Sequence, residues 1–294
     1  MPLPAVQEGV AKAGDTEVHY YDSSRDLGAG LDERDPSIGL PNPPVVLLHG
    51  TGGSAENSFW ALYPMLAMRH RVVAFDFVDP SDVNQTGTLE EYVAQAVAVI
   101  DTVRDGGPCH VVGYSFGAEI ASALAAQRSD LVAALVLIAG WSTTDAHQLM
   151  RNSIWQQLYD EQSAALAEFM VFTGYSHRFI LAKTPAELKE LISSVRNGPD
   201  RSAKMRFNRT VAIADLLSQI TAPTLVIGCT EDIMAPVRHS RVLFGGIDNA
   251  RYAEVIAGHG VVHERPAELF TLIDTFLKDP EATPASHQFG ATHA

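Results

Sequence analysis

Cysteine is scarce in this chain. It has two, Cys109 and Cys229, and they are not spaced as a CxxC pair. That gives no support to a cysteine-based metal centre, and a disulfide between the two is possible but has no support from the sequence. Both fall in or beside expected core strands, so buried free thiols are expected. Positive charge is also short: 21 Lys and Arg stand against 35 Asp and Glu, a formal net charge of −14, with no basic run anywhere. Nucleic-acid binding needs a basic patch, so nucleic acid is not an expected partner. No apolar run approaches the roughly 20 residues that span a bilayer. The first residues, MPLPAVQEGVAKAG, lack a basic segment followed by an apolar one. No signal peptide and no membrane contact are therefore expected, and a cytoplasmic location is. Internal repeats are absent, and nothing in the composition asks for a metal or a cofactor.

What is present is apolar and alternating. Hydrophobic residues make up 46% of the 294 positions, ample for a sizeable core. EGVAKAG and TEVHYYD flank Gly14-Asp15, a hairpin signal. Residues 23–44 are rich in Gly, Pro, Ser and charge and predict a long surface loop. Beyond them, VVLLHG (45–50), RVVAFDF (71–77), CHVVGYS (109–115) and LVAALVLIAG (131–140) read as strands buried on both faces. Helical patterns lie between them: 59–70, where Pro64 distorts or shortens the helix, the stretch after the Thr88/Glu91 capping box, and FGAEIASALAAQR. Such alternation predicts an α/β fold, a mostly parallel sheet with helices on both faces. The alternation breaks at Trp141. Residues 142–218 hold helix patterns and no clear strand; the clearest is TPAELKELISSV, with Thr184 as cap and Pro185 at the first helical position. The sheet resumes with APTLVIGCT (222–230) and RYAEVIAG (251–258), with helices near 236–244 and 265–278. The expected organisation is thus a core of 1–141 and 219–278, a helical insertion over 142–218, and a disordered tail over 279–294.

The chemistry gathers at strand ends. Gly113-Tyr114-Ser115-Phe116-Gly117 fits G-x-S-x-G after a strand and before a helix. One reading is a tight turn that needs small residues. The other is a nucleophile presented at a strand tip. Downstream, Asp232 in GCTEDIMAP and His259 in AGHGVVHERP each follow a strand. The C-terminal ends of parallel strands share one edge, so Ser115, Asp232 and His259 can meet there. Each has a competitor: Glu231 beside Asp232, His263 beside His259, and Asp145 as a spare acid on the same edge. His49 and His110 read as structural, and Glu119 as a buried carboxylate that needs a partner.

With HGTGG, GYSFG, GCTEDIMAP and AGHGVVHERP in that order, the chain resembles the α/β-hydrolase superfamily across residues 45–278. The resemblance implies an α/β-hydrolase fold with a helical lid over 142–218. It implies Ser115 as nucleophile, His259 as base and then acid, and Asp232 as the group that orients His259. It places the oxyanion hole at the backbone N–H groups of Thr51 and Phe116. Serine at the elbow separates the chain from haloalkane dehalogenases and epoxide hydrolases, which use aspartate. One loop departs from the family: many relatives carry D-x-x-G-x-G-x-S after the second buried strand, whereas this chain reads DFVDPSDVNQT.

The expected function is hydrolysis of an ester, thioester or lactone of a fairly hydrophobic small molecule through an acyl-serine. Acyl transfer to a non-water acceptor, C–C bond hydrolysis and a non-catalytic binding protein on the same scaffold are the alternatives. Trp141, Trp155, Phe172 and Phe207 are the expected substrate-binding aromatics. A homo-oligomer is compatible with the sequence.

Overall fold

The structure, a computed structural model, describes residue 3 and residues 7–25, 43–82 and 85–290. The expected loop 23–44 lies mostly outside the described residues; Ser23–Arg25 forms one 3-10 turn. The chain opens with the hairpin β1 (Gln7–Ala13) and β2 (Thr16–Asp22). Gly14 at its turn has φ 59°, a region glycine enters freely.

β3 (Val45–Leu48) is followed by two short helices, α1 (Ala55–Phe59) and α2 (Leu62–Ala67), rather than one. Pro64 explains the break: in a continuous helix its ring would meet the carbonyl of residue 60, and it has no N–H to donate there. Then come β4 (Val72–Phe75), α3 (Leu89–Val103), β5 (Cys109–Tyr114), α4 (Phe116–Gln127) and β6 (Val132–Ile138). Five helices fill the insertion: α5 (Ala146–Asp160), α6 (Leu166–Gly174), α7 (His177–Leu181), α8 (Pro185–Arg196) and α9 (Ser202–Asn208). β7 (Thr224–Cys229), α10 (Arg238–Gly246), β8 (Ala250–Val255), α11 (Val261–Glu264) and α12 (Pro266–Lys278) complete the chain.

The eight strands form one sheet in the order β1-β2-β4-β3-β5-β6-β7-β8. Pairings from β4 through β8 are parallel; β1 with β2 and β2 with β4 are antiparallel. Alternate residues of each strand face opposite cores. Val46, Leu48, Val111 and Leu137 pack with α3 and α4, and Val45, Leu47, Val112 and Ile138 pack with α2 and α12. Two covered faces are why these strands read as unbroken apolar runs. Cys109 and Cys229 are buried and free, and burial pushes the Cys109 thiol up to about 12.

The helical insertion leaves and re-enters the core at one neck. Thr143 and Ala212 form an antiparallel bridge there, with Thr144 N–H on Val211 C=O at 3.0 Å and Ile213 N–H on Ser142 C=O at 2.7 Å. The tail departs from expectation. Through residue 290 it is ordered against β8: Ser286 N–H donates to Ala250 C=O at 2.7 Å, Tyr252 N–H to His287 C=O at 2.9 Å, and Phe289 N–H to Tyr252 C=O at 2.8 Å. β8 is the last strand of the sheet and its outer backbone groups need partners; Pro- and Ser-rich composition hid that role.

Candidate active site

Ser115 stands alone between β5 and α4 with φ 54° and ψ −126°. A non-glycine residue there is strained, by about 1–3 kcal/mol, and persists only where its surroundings force it. They do: Ser115 N–H donates to Ile138 C=O at 2.8 Å. The flanking glycines give the backbone its clearance. A Cβ on Gly117 would collide with the Leu48 carbonyl oxygen, and one on Gly113 with the backbone of Gly117 and Ala118. The turn needs its small residues, and what it holds up is the hydroxyl.

That hydroxyl meets the two downstream residues. Ser115 Oγ lies 2.7 Å from His259 Nε2, and His259 Nδ1 lies 2.7 Å from Asp232 Oδ2. All three are buried. Asp232 Oδ1 accepts from Met234 N–H at 2.7 Å and Ala235 N–H at 2.9 Å, which fixes the carboxylate. Tyr114 O–H donates to His259 C=O at 2.9 Å and holds the histidine loop against β5. With Nδ1–H donated to Asp232, His259 Nε2 is left to accept the serine proton.

The loop after β3 lies against the serine: a Cβ on Gly50 would be 3.2 Å from Ser115 Cβ. Thr51 lines the same cavity as Ser115, and Asn208 Nδ2 donates to Thr51 Oγ1 at 2.8 Å. Phe116 is the first residue of α4, so its N–H has no acceptor within the helix. His49 braces the loop. Its Nε2 accepts from Phe77 N–H at 3.1 Å, so Nδ1 carries the proton and donates to Gly50 C=O at 2.8 Å. Burial and the Lys204 charge lower its pKa to about 4, so it stays neutral.

The competitors are engaged elsewhere. Glu231 pairs with Arg178 at 2.6 Å and His177 at 3.3 Å. Asp145 caps α5, accepting Gln148 N–H at 3.0 Å, and pairs with Arg238 and His239. His263 lies between Tyr175 Oη at 3.0 Å and Asn57 C=O at 2.9 Å. His110 is buried in β5, which lowers its pKa to about 4. Glu119 is fully buried, and its Oε1 accepts Trp141 N–H at 3.0 Å. Burial raises its pKa well above the ordinary carboxyl value, which favours its protonated form.

A cavity of about 730 Å³ opens over Ser115 and His259. Of the four expected aromatics, Trp141 alone lines it. Trp155 faces an adjoining cavity of about 520 Å³. Phe207 is in the core, edge-on to Tyr92 and Phe116. Phe172 is 66% exposed on the outer face of α6. Apolar character alone does not tell which face of an inserted helix looks inward. Sequence reasoning passed over two arginines that line the cavity, Arg151 and Arg201. A signal existed for one: Arg151 is four residues before the buried Trp155, so it shares that helix face. Among the described residues, no group of three His, Cys, Asp or Glu is arranged for a metal ion.

The geometry has known counterparts. The sequence pattern of the alpha/beta hydrolase family matches residues 45–272. Over 273 residues the chain is 30% identical to pyrrolizixenacetamide deacetylase of Xenorhabdus hominickii, covering 90% of this chain and 96% of that one. Among solved structures, the enol-lactonase of Burkholderia xenovorans LB400 superposes with a TM-score of 0.74 at 21% identity, covering 92% of this chain and all (100%) of that one. A thermophilic esterase of Thermogutta terrifontis superposes with a TM-score of 0.74 at 18% identity, covering 94% and 100%. At those identities the two structures speak for the fold alone.

Proposed function

Since the chain belongs to the alpha/beta hydrolase family, we propose that it is a serine hydrolase cleaving a carboxylic ester, thioester or lactone of a small molecule. The carrying observation is the unbroken relay from Ser115 Oγ through His259 to Asp232, with 2.7 Å at each link. Ser115 Oγ attacks the substrate carbonyl as His259 Nε2 takes its proton, and Asp232 stabilises the imidazolium that results. The oxygen of the tetrahedral intermediate is held by the N–H groups of Phe116 and Thr51, aided by the N-terminus of α4. His259 returns the proton to the leaving group. Water then adds to the acyl-serine by the same relay and frees the acid. The insertion acts as a lid that shapes the cavity and shields the intermediate.

A second reading, cleavage of an acyl-amide, is favoured by the relative named as a deacetylase. The relay serves either bond. A fluorophosphonate probe is expected to label the wild type at Ser115 and to leave Ser115→Ala unlabelled. A folded wild type that resists labelling, or a Ser115→Ala variant that keeps turnover, overturns the proposal. Matched acetate esters and acetamides separate the two readings.

A further inference from the structure

Two arginines line the cavity with no carboxylate in ion-pair contact among the described residues. Arg151 on α5 is only 9% exposed. Its Nε and Nη2 both donate to Thr173 Oγ1, at 3.1 and 2.8 Å, and its Nη1 has no acceptor among the described residues. Its guanidinium carbon stands 5.5 Å from the centre of the Phe169 ring. Arg201, just before α9, lies over the loop after β3. A Cβ on Gly52 would sit 2.7 Å from its Nη1 and 2.8 Å from its Cζ. Among the described residues its guanidinium makes one polar contact, to Met170 Sδ at 3.7 Å. Both arginines line the cavity that holds Ser115 and His259.

Buried charges are normally paired, and this chain pairs others: Lys204 with Asp79 at 2.7 Å, and Arg71 with Asp22 at 2.8 Å. The charge of Asp232 acts on Arg151 and that of Asp200 on Arg201, but neither acid is in hydrogen-bond contact with its arginine. Asp200 accepts from Ser202 Oγ at 2.7 Å, and Asp232 is taken by His259 and its own loop. Glu187 and Glu190 reach the cavity from the exposed side of α8, and Glu187 closes that helix's cap. Burial lowers Arg151 to about 10; the charge of Asp232 opposes that fall and the charge of Arg201 adds to it. Two like charges lining one cavity gain most from an anion that bridges them, and the planar guanidinium fork matches a carboxylate.

We propose that the substrate carries a carboxylate that binds between Arg151 and Arg201 while its scissile carbonyl lies at Ser115. The proposal rests on the serine-hydrolase reading above. Trp141, Met170, Leu191, Val195 and Met205 also line the cavity, among polar side chains such as Gln148 and Asn152, so the body of the molecule has apolar surface to pack on. The substrate class is an acyl derivative with one charged end and an apolar body.

Two matched ester pairs test this. One is the mono-p-nitrophenyl ester of hexanedioic acid, with its other carboxyl free or methylated. The other is 4-carboxyphenyl acetate and its methyl ester, which puts the charge on the leaving side. In at least one pair the free acid is expected to exceed its methyl ester by about tenfold or more in kcat/KM, the scale of a lost charged hydrogen bond. Arg151→Met and Arg201→Met, prepared separately, are expected to bring that ratio close to one. A wild type that prefers the methyl ester in both pairs, or a ratio unchanged in the folded variants, overturns the proposal.

A binding arm does not depend on catalysis. Hexanedioate is expected to raise the melting temperature of Ser115→Ala, hexanediamide to leave it unchanged, and Arg201→Met in that background to lose the shift. Stabilisation by inorganic phosphate and not by hexanedioate would overturn the carboxylate. Fluorophosphonate labelling with no acid preference and no hexanedioate shift removes this proposal alone. A hexanedioate shift without labelling removes the serine-hydrolase reading instead.

Discussion

At the scale of single residues, the candidate site separates acids that look alike in sequence. Asp232 and Glu231 are adjacent, yet one carboxylate meets His259 Nδ1 at 2.7 Å and the other meets Arg178 at 2.6 Å. Asp232→Asn is expected to lower kcat by about 10³–10⁴, because the amide no longer favours the Nδ1–H tautomer or stabilises the imidazolium. Glu231→Gln is expected to stay within about twofold, since it loosens only contacts to the exposed Arg178 and His177, outside the relay. Steady-state kinetics on any turned-over ester distinguishes the two, and the reverse ranking would move the acid to Glu231. Glu119 offers a pH signature. Its folded pKa is raised by burial, so the folded state holds its proton more tightly than the unfolded state does. Its stabilising contribution is therefore full below the ordinary carboxyl pKa and is lost as pH rises towards the raised folded value. Glu119→Gln keeps an acceptor for Trp141 N–H and cannot ionise. Its stability relative to wild type is expected to climb in urea titrations as pH rises above the ordinary carboxyl range; a constant difference would mean that burial does not raise the Glu119 pKa.

At the scale of elements, the core strands were legible because burial on both faces makes them continuous apolar runs. The Thr88 and Thr184 capping boxes were legible because the cap is a local pattern, and both are formed. Ser115, Asp232 and His259 were legible as neighbours because parallel strands deliver their ends to one edge. Other features were hidden because they depend on pairing across the chain. The tail's run along β8 needs an open sheet edge, and the inward placing of Arg151 with the outward placing of Phe172 needs the docking of whole helices. α8 shows what a local pattern leaves open. It carries an apolar stripe of Leu188, Leu191, Ile192 and Val195 at helical spacing, but no residue of the helix is fully buried. A helix so exposed depends on its cap more than a core helix does. Thr184→Ala is expected to cost that helix about 1 kcal/mol. Hydrogen exchange at α8 amides should then quicken several-fold while the global Tm stays put. A global loss of Tm with unchanged α8 exchange would show that the helix is tied into the core.

At the scale of the whole molecule, the insertion is tied to the core around the cavity's rim. Arg178 binds Glu231, Ser176 Oγ donates to Glu264 at 2.5 Å, His147 Nε2 donates to Ile233 C=O at 2.7 Å, and Asn208 binds Thr51. The deepest tie is Lys204. Its side chain is 6% exposed, and Nζ reaches Asp79 Oδ2 at 2.7 Å, in the loop that departs from the family turn. Asp79 also accepts from Tyr92 O–H at 2.8 Å. The reshaped loop thus fastens α9, the helix that follows Arg201 and carries Asn208. Removing the lysine strands a carboxylate that is only 26% exposed, so Lys204→Ala is expected to cost about 2–4 kcal/mol in urea unfolding. The Asp79→Ala/Lys204→Ala double variant should lose less than the two single losses together, with a coupling of about 1–3 kcal/mol. Additivity within about 0.5 kcal/mol would mean that the contact does not fasten the insertion. Because α9 places Asn208 on Thr51 and holds Arg201 over Gly52, the single variant should also raise KM more than it lowers kcat, which a purely global loss of stability would not do.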